Sequence, residues 1–330
     1  MNGTDLGPRA VLLGVAGGPA PTGGRAGIAS AVVAGDGVYL IDAGRGALNQ
    51  FMNAGLELSA LRGIFLTHMH QDHTADYFTF LLLGNRIRGV YEGGFQALDV
   101  FGPGPGGPPP FLPAVAHPFA PDDPYPGVVG LTEGSFRAHA NALNNFQAIG
   151  APDLREVVTL HELPPADIVA SPTDPAPPIV PFAVFEDGNV RVTATLVPHA
   201  GLYPSMAFRF ETDAGSVVFA GDTKLCRDNL VDLARGADVL VHEVYDREGM
   251  IAMGMPEAMI DVAFDSGHTE AEAVGLVAAD ADVELLVLNH LLPAAPALVP
   301  DERWVAKAQT GYSGRVILGQ DLLSVPVASP

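Results

Sequence analysis

Cysteine, lysine and long apolar runs are scarce in this chain, and each scarcity excludes a class of protein. The single cysteine, Cys226, excludes an internal disulfide framework and a thiolate-rich zinc site. The longest apolar stretches, such as Glu284–Leu292, fall well short of the roughly 20 residues that a membrane-spanning helix needs. No export signal is visible at the N-terminus, so we expect a cytoplasmic protein, with a trimmed signal left open.

Positive charge is equally scarce. Lys224 and Lys307 are the only lysines, and the formal net charge is −21 at pH 7. A strongly negative surface repels phosphate backbones and anionic lipid. We therefore expect a small-molecule substrate and no membrane partner, disfavour nucleic acid as a partner, and leave a homodimer open. The simpler alternative is that the acidity only aids solubility.

The length and composition predict one large α/β domain over residues 1–330. With 48% hydrophobic residues, a chain of 330 residues can bury a core of ordinary size. Two stretches rich in proline and glycine, Gly102–Gly127 and Leu163–Pro181, interrupt the middle of the chain. We interpret about 101–180 as an insertion or lid. The β-rich runs on either side of it indicate a pseudo-duplicated sandwich.

The densest chemical signal follows the apolar strand Gly63–Leu66. Four potential metal ligands, His68, His70, Asp72 and His73, fall within six residues. In an extended segment, alternation places His68 and His70 on one side, while the following pair can face a second ion about 3.5–4 Å away. Imidazole and carboxylate without thiolate favour Zn²⁺, with Mn²⁺ or Fe as substitutes. One loop can therefore supply two metal ions.

The pattern His-x-His-x-Asp-His resembles the signature of the metallo-β-lactamase superfamily. Further motifs, in the same order along the chain, are similar to those of its ribonuclease Z and arylsulfatase-like branch. They are Gly221-Asp222-Thr223, His199 after Thr195–Pro198, His290 in Leu288-Asn289-His290, Glu243 in Leu240-Val241-His242-Glu243, and His268 in His268-Thr269-Glu270-Ala271.

The resemblance implies a four-layer αββα sandwich and a dinuclear metal site. The first ion would be held by His68, His70, His199 and Asp222, and the second by Asp72, His73, Asp222 and His290. The resemblance also implies that Glu243 and His268 form a hydrogen-bonded pair beside the metals. In this interpretation, Asp72 orients the attacking water and His268 donates a proton to the leaving group.

Our leading functional hypothesis is a dinuclear zinc hydrolase. It would cleave a small-molecule ester, lactone, lactam, sulfate or phosphodiester by a metal-bridging hydroxide. The alternative is a ribonuclease Z-type endonuclease that processes tRNA 3′ ends. Against it stand the acidic charge, an insertion whose only cations are Arg137 and Arg155, and Leu291–Ala294 where the nuclease commonly has Ser-Pro-Arg. A non-catalytic binding protein is disfavoured because every expected ligand is present.

Several residues have a structural interpretation beside the functional one. Asp42 could cap the following helix or support the metal ligands from behind. His242 and Glu243 alternate along a strand, so only one can point at the metals, and the resemblance favours Glu243. Met250, Met253, Met255 and Met259 form a methionine-rich patch. Such patches usually fill irregular gaps in a core, but this position also permits an adaptable, hydrophobic substrate wall.

Overall fold

The structure, a computed structural model, consists of two mixed β-sheets of seven strands each. It describes residues 7–18, 24–84, 97–107, 115–199 and 202–327. Both sheets have the same pattern, in which four neighbouring strands at one edge pair antiparallel, four at the other edge pair parallel, and the middle strand belongs to both sets. This repetition is the pseudo-duplication that the sequence indicates.

The first sheet is formed by the N-terminal half of the chain and by its last strand. Its strands are β1 Arg9–Gly14, β2 Ala29–Ala34, β3 Gly37–Ile41, β4 Leu61–Phe65, β5 Leu98–Pro103, β6 Val158–Leu163 and β14 Leu323–Pro326. They lie in the order β14-β1-β2-β3-β4-β5-β6. The hairpin between β2 and β3 turns at Gly35, whose positive φ of 54° suits a glycine.

The second sheet is continuous in sequence. Its strands are β7 Phe182–Glu186, β8 Arg191–Leu196, β9 Met206–Glu211, β10 Ser216–Phe219, β11 Val239–Tyr245, β12 Leu285–Leu292 and β13 Arg315–Leu318. They lie in the order β13-β12-β11-β10-β9-β8-β7.

The helices are short and connect the strands. Their bounds are Ala47–Asn53, Gln71–Thr74, Tyr77–Thr79, Val128–Ala138, Ala140–Ala148, Leu154–Val157, Asn229–Ala234, Arg247–Ala252, Glu257–Met259, Ala271–Asp280 and Asp301–Ala308, with a 3₁₀ turn at Leu58–Ala60 and π-helical turns at Phe80–Gly84 and Ile260–Phe264. Among the described residues, no helix has the length and apolar character required to cross a bilayer.

The central strands are buried on both faces, which produces four layers. Along β1, Ala10 and Leu12 enter the cluster between the sheets, whereas Val11 and Leu13 enter a second cluster outside the first sheet. The helix Ala47–Asn53 packs into that second cluster. The helices Ala271–Asp280 and Asp301–Ala308 pack on the other sheet through Val274 and Trp304. The predicted αββα sandwich is confirmed.

The span 101–180 contains more regular structure than its composition suggests. It contains the helices Val128–Ala138 and Ala140–Ala148, with a break at His139 between them. The strand β6 then returns to the first sheet and pairs in parallel with β5. Part of the span therefore belongs to the sandwich itself. Its role as an insertion or lid stays a prediction.

Phe65 lies at the centre of the contact between the sheets. Its ring centroid is 4.9 Å from that of Phe101, 5.6 Å from Phe208 and 5.1 Å from Phe210. The side chain is fully buried. It therefore joins the strand that precedes the histidine cluster to the strands of the opposite sheet.

We predict that Phe65→Ala lowers the free energy of unfolding by about 3–5 kcal/mol, because it leaves a cavity between the sheets. Urea unfolding of the metal-free protein measures the change. Phe119→Ala is the matched control, since Phe119 is fully exposed and its loss should change stability by less than about 0.5 kcal/mol. An equal effect of the two substitutions would contradict this assignment of the core.

Candidate metal centre

The seven predicted metal-ligating residues meet at one edge of the sandwich. The strands β10, β11 and β12 run parallel, and β8 has the same direction because two antiparallel steps through β9 separate it from β10. His199 and Asp222 follow the carboxyl ends of β8 and β10, and His290 lies near that end of β12. The loop after β4 brings the histidine cluster to the same edge. Sites of α/β proteins are commonly built from such strand ends.

The first group of potential ligands contains three imidazoles that point at one another. His68 Nε2 lies 3.0 Å from His70 Nδ1, and His199 Nε2 lies 3.0 Å from the same atom. Nitrogen ligands of a tetrahedral zinc ion lie about 3.3 Å apart, given metal–nitrogen distances of about 2.0–2.1 Å. The three nitrogens therefore have nearly the spacing that a shared cation requires.

Hydrogen bonds on the far side of two rings fix which nitrogen is available. His199 Nδ1 donates to the carbonyl of Gly267 at 2.7 Å, which leaves the Nε2 lone pair facing the group. The hydroxyl of Thr67 donates to Asp42, so its oxygen accepts a hydrogen bond of 3.0 Å from His68 Nδ1. Burial lowers the pKa of His199 to about 3 and that of His68 well below its usual range. Both rings are neutral, as metal ligands must be.

The second group contains Asp72, His73 and His290. Their potential ligand atoms lie within 4.8 Å of one another. His290 Nε2 is 3.4 Å and His73 Nε2 is 3.7 Å from Asp72 Oδ2, and the same oxygen accepts a hydrogen bond of 3.0 Å from the backbone of Gly18. The carboxylate therefore has one backbone donor that fixes its orientation.

Asp222 lies between the two groups. Its Oδ2 atom is 3.2 Å from His290 Nε2, 3.4 Å from His73 Nε2 and 3.8 Å from His68 Nε2. The side chain is buried, and its Oδ1 atom and His73 Nε2 have no hydrogen-bond partner among the described residues. Buried polar atoms without a partner call for an explanation. A divalent cation supplies one, because the donors are the imidazoles and carboxylates that such ions prefer.

Asp42 has a larger role than the sequence reveals. It is buried with a φ of 55°, and its carboxylate accepts hydrogen bonds from His73 Nδ1 at 2.8 Å and from Thr67 N at 2.8 Å. The bond to His73 leaves that ring's Nε2 facing Asp222. A carboxylate behind a metal-ligating histidine commonly fixes its tautomer and orientation. The alternative that Asp42 caps a helix finds no support, since the helix Ala47–Asn53 has no side-chain cap.

His290 lies inside β12, two residues before the end of that strand. Asn289 pairs with Glu243 and Leu291 pairs with Val244, so His290 is the extra residue of a β-bulge. Its φ is 42°, a value uncommon for a residue other than glycine. Bulges redirect side chains next to functional sites. In a regular strand, successive side chains face opposite sides of the sheet. The bulge interrupts this alternation at His290.

Glu243 and His268 form the predicted pair. His268 Nδ1 lies 3.3 Å from Glu243 Oε2, and Glu243 Oε1 accepts a hydrogen bond of 2.7 Å from the backbone of Thr269. Burial on its own lowers the pKa of His268, but the carboxylates of Glu243 and Asp222 together outweigh it and the pKa is raised overall. His242 takes no part in the pair and donates from Nδ1 to the carbonyl of Glu243.

A cavity of about 390 Å³ opens beside both groups. His70, Asp72, Asp222, His268 and His290 all line it. The methionine-rich patch contributes three further lining residues, Met250, Met253 and Met255. A ligand in this cavity would therefore contact the candidate metal ligands. It would also contact the imidazole of His268, but not the Glu243 carboxylate behind it.

Comparison with known proteins agrees with the fold. The family described as "Beta-lactamase superfamily domain" matches residues 128–291. Ribonuclease Z of Mycobacterium bovis (strain BCG) is 31% identical over 321 residues, covering 96% of this chain and 97% of the relative. The short form of human tRNase Z (ELAC1) has a TM-score of 0.62 at 20% identity, over 97% of this chain and all of that one. The Bacillus subtilis metallo-β-lactamase fold protein YhfI has a TM-score of 0.61 at 18% identity, covering 96% of this chain and 98% of its own.

These likenesses define a metal-dependent hydrolase of the metallo-β-lactamase fold. The chain belongs to the metallo-β-lactamase superfamily and, within it, to the ribonuclease Z branch. The resemblance inferred from the motifs is thereby confirmed at the level of the family. The arylsulfatase-like part of the resemblance and the identity of the metal stay predictions.

The comparisons also overturn two expectations. The preference for a small-molecule hydrolase is wrong, and so is the expectation that nucleic acid is an unlikely partner. The relative that this chain matches along nearly its whole length is named Ribonuclease Z. The net charge of −21 misled because it averages over the whole surface. Contacts with a phosphodiester depend on the local field of a site, and bound divalent cations dominate that field.

We predict that Asp42→Asn weakens divalent metal binding by about 10- to 100-fold, since it removes the charged acceptor behind His73. Asparagine has the same shape and tolerates the positive φ, so the fold should be preserved. Isothermal titration of the metal-free protein with Zn²⁺ measures the affinity. The matched control is Asp36→Asn, which alters an exposed carboxylate paired with Arg62. Unchanged affinity in Asp42→Asn would refute the role given to this carboxylate.

Proposed function

We propose that this chain is a ribonuclease Z-type endonuclease that processes the 3′ ends of tRNA precursors at a dinuclear zinc centre. The observation that carries the proposal is the convergence of two groups of potential ligands on the shared carboxylate of Asp222. A relative named Ribonuclease Z that matches along 97% of its length supports RNA as the substrate. The cavity beside the two groups gives a phosphodiester access to them.

The proposed ligand sets follow the two groups. His68, His70, His199 and Asp222 hold one ion, and Asp72, His73, Asp222 and His290 hold the other. Neutral imidazoles with carboxylates and no thiolate favour Zn²⁺, with Mn²⁺ or Fe as the substitutes. Asp222 belongs to both sets because its Oδ2 atom faces histidines of each. Its loss should therefore be more damaging than the loss of any single histidine.

The chain itself orients the reacting groups. Two divalent ions, when bound in such a site, would supply Lewis acidity towards the phosphate and would make water a nucleophile at neutral pH. Asp72 orients the attacking water, because the backbone of Gly18 holds one of its oxygens. His268 donates a proton from Nε2 to the leaving oxygen, while its Nδ1 faces Glu243. The backbone of Thr269 fixes Glu243 in turn, so the imidazole is held in one orientation.

We predict that the zinc-loaded protein cuts a tRNA precursor carrying a 3′ trailer at a single position near the acceptor end. Chelation or His68→Ala should abolish cleavage, because both remove the first ion. The matched control is His139→Ala, since His139 is exposed and contacts Phe78 rather than the site. Gel analysis of end-labelled RNA measures the products. Absence of RNA cleavage, combined with His68-dependent turnover of chromogenic esters or lactones, would contradict the proposal.

We further predict that Glu243→Gln moves the alkaline limb of the kcat profile to lower pH. A proton donor is active below its pKa and loses activity as the pH rises through it. The Glu243 carboxylate raises the pKa of His268, so its neutral replacement should lower that pKa. Cleavage rates across the pH range measure the shift, with Glu248→Gln at an exposed carboxylate as the control. A limb that stays in place would exclude His268 as the titrating donor.

A further inference from the structure

We propose, building on the ribonuclease Z-type function above, that an apolar wall of the cavity binds the base of the nucleotide that carries the leaving oxygen. The wall consists of Met250, Met253, Met255 and Phe264 and is called the methionine wall below. All four residues line the cavity that also contains His70, Asp72, Asp222, His268 and His290. A phosphodiester bound at the candidate metal ligands therefore has an apolar surface within the same cavity.

The methionine wall is buried at Met250 and exposed at Met253. Met250 is only 1% exposed and packs with Tyr245, Ile260 and Leu292 in a small cluster separate from the two main cores. Met255 and Phe264 pack against that cluster, whereas Met253 is 46% exposed. Four of the eight methionines of the chain lie within the ten residues 250–259. Gap filling explains Met250, but it does not explain why the partly exposed members face a cavity lined by metal ligands.

Aromatic side chains connect the wall to the proposed proton donor. The Phe264 ring stacks on the His268 imidazole, with centroids 5.3 Å apart and planes inclined by 29°. The His268 imidazole in turn lies 5.7 Å from that of His290, with planes inclined by 14°. The wall thus lies on the side of the site where His268 would deliver its proton. The nucleotide nearest to it is the one whose oxygen leaves.

The chemistry of the wall suits a base better than a phosphate or a sugar. Thioethers make favourable contacts with aromatic rings and adapt their shape, and bases stack on aromatic side chains without regard to sequence. Between Glu243 and His268 the only lysine or arginine is Arg247, and it is already paired with Asp261 and Asp265. Contacts with a base supply affinity that does not depend on cations.

The size of the cavity agrees with a single unit of a polymer. Its volume of about 390 Å³ lies near the lower end of the range of about 300–1,000 Å³ that small-ligand pockets occupy. A double helix does not fit such a space, whereas one unstacked base with its sugar does. The proposal therefore places one flipped-out nucleotide against the methionine wall.

The test combines changes in the protein with a change in the RNA. Met253→Ala and Phe264→Leu are made in the full-length, zinc-loaded protein, with Met52→Ala as the matched control at an exposed methionine on the helix Ala47–Asn53. Three RNAs serve as substrates: a tRNA precursor, the same RNA with one abasic nucleotide directly before the cut, and the same RNA with one abasic nucleotide directly after it. End-group analysis identifies the leaving side, because the leaving oxygen becomes a hydroxyl. kcat and KM are measured for every pair.

The expected result is coupling between the wall and one base. With the normal RNA, each wall variant should lower kcat/KM by about 5- to 50-fold, mainly through KM, as loss of stacking on a base predicts. With the RNA that is abasic on the leaving side, the wild type should show the same loss and the variants should add little. A 2-aminopurine at that position, in an RNA with a non-cleavable phosphonate linkage, should be quenched on binding and less so by Phe264→Leu.

Three outcomes would overturn the proposal. Equal losses on normal and abasic RNA would show that the wall acts only through the structure of the protein. If the wall variants were coupled only to the abasic nucleotide on the other side of the cut, the methionine wall would bind a base other than the one proposed. In both cases the wild type still cuts the RNA, so the proposed nuclease function survives. A wild type that cuts neither RNA would instead refute the function, and this inference with it.

Discussion

The buried carboxylate of Asp222 imposes the constraint on which the rest of the structure depends. Its Oδ2 atom lies 3.2 Å from His290, 3.4 Å from His73 and 3.8 Å from His68, so it faces both ligand groups. Bringing so many imidazoles and carboxylates together in a buried place costs several kcal/mol unless a cation compensates them. A fold that assembles such a cluster must therefore hold it rigidly, from elements that are themselves well packed.

The sandwich provides that rigidity through the geometry of strand ends. The two sheets repeat one pattern of pairing, and their aromatic contact at Phe65 fixes the loop that carries His68 and His70. Hydrogen bonds then orient individual rings, as those of Gly267 and Asp42 do for His199 and His73. The methionine wall lies beside the candidate metal ligands. It packs on its own small cluster around Met250, which is separate from the two main cores.

Local sequence determines most of the fold and much of the candidate site. The strand before His68 and the spacing of the motif can be read directly, because ligands on one loop need no long-range information. Two features could not be predicted. The bulge that redirects His290 depends on the register between β11 and β12, and the role of Asp42 depends on its contact with His73, which is 31 residues away. The expectation about the substrate failed for a different reason, since net charge does not describe the local field at a metal centre.

Anomalous diffraction at the zinc edge, recorded from crystals of the zinc-loaded protein, is the decisive experiment for the dinuclear centre. We expect two peaks about 3.5–4 Å apart. One should lie among His68, His70 and His199, the other among Asp72, His73 and His290, with Asp222 in contact with both. A single peak, or two peaks that do not share Asp222, would contradict the dinuclear centre. Peaks away from these side chains would contradict the site as a whole.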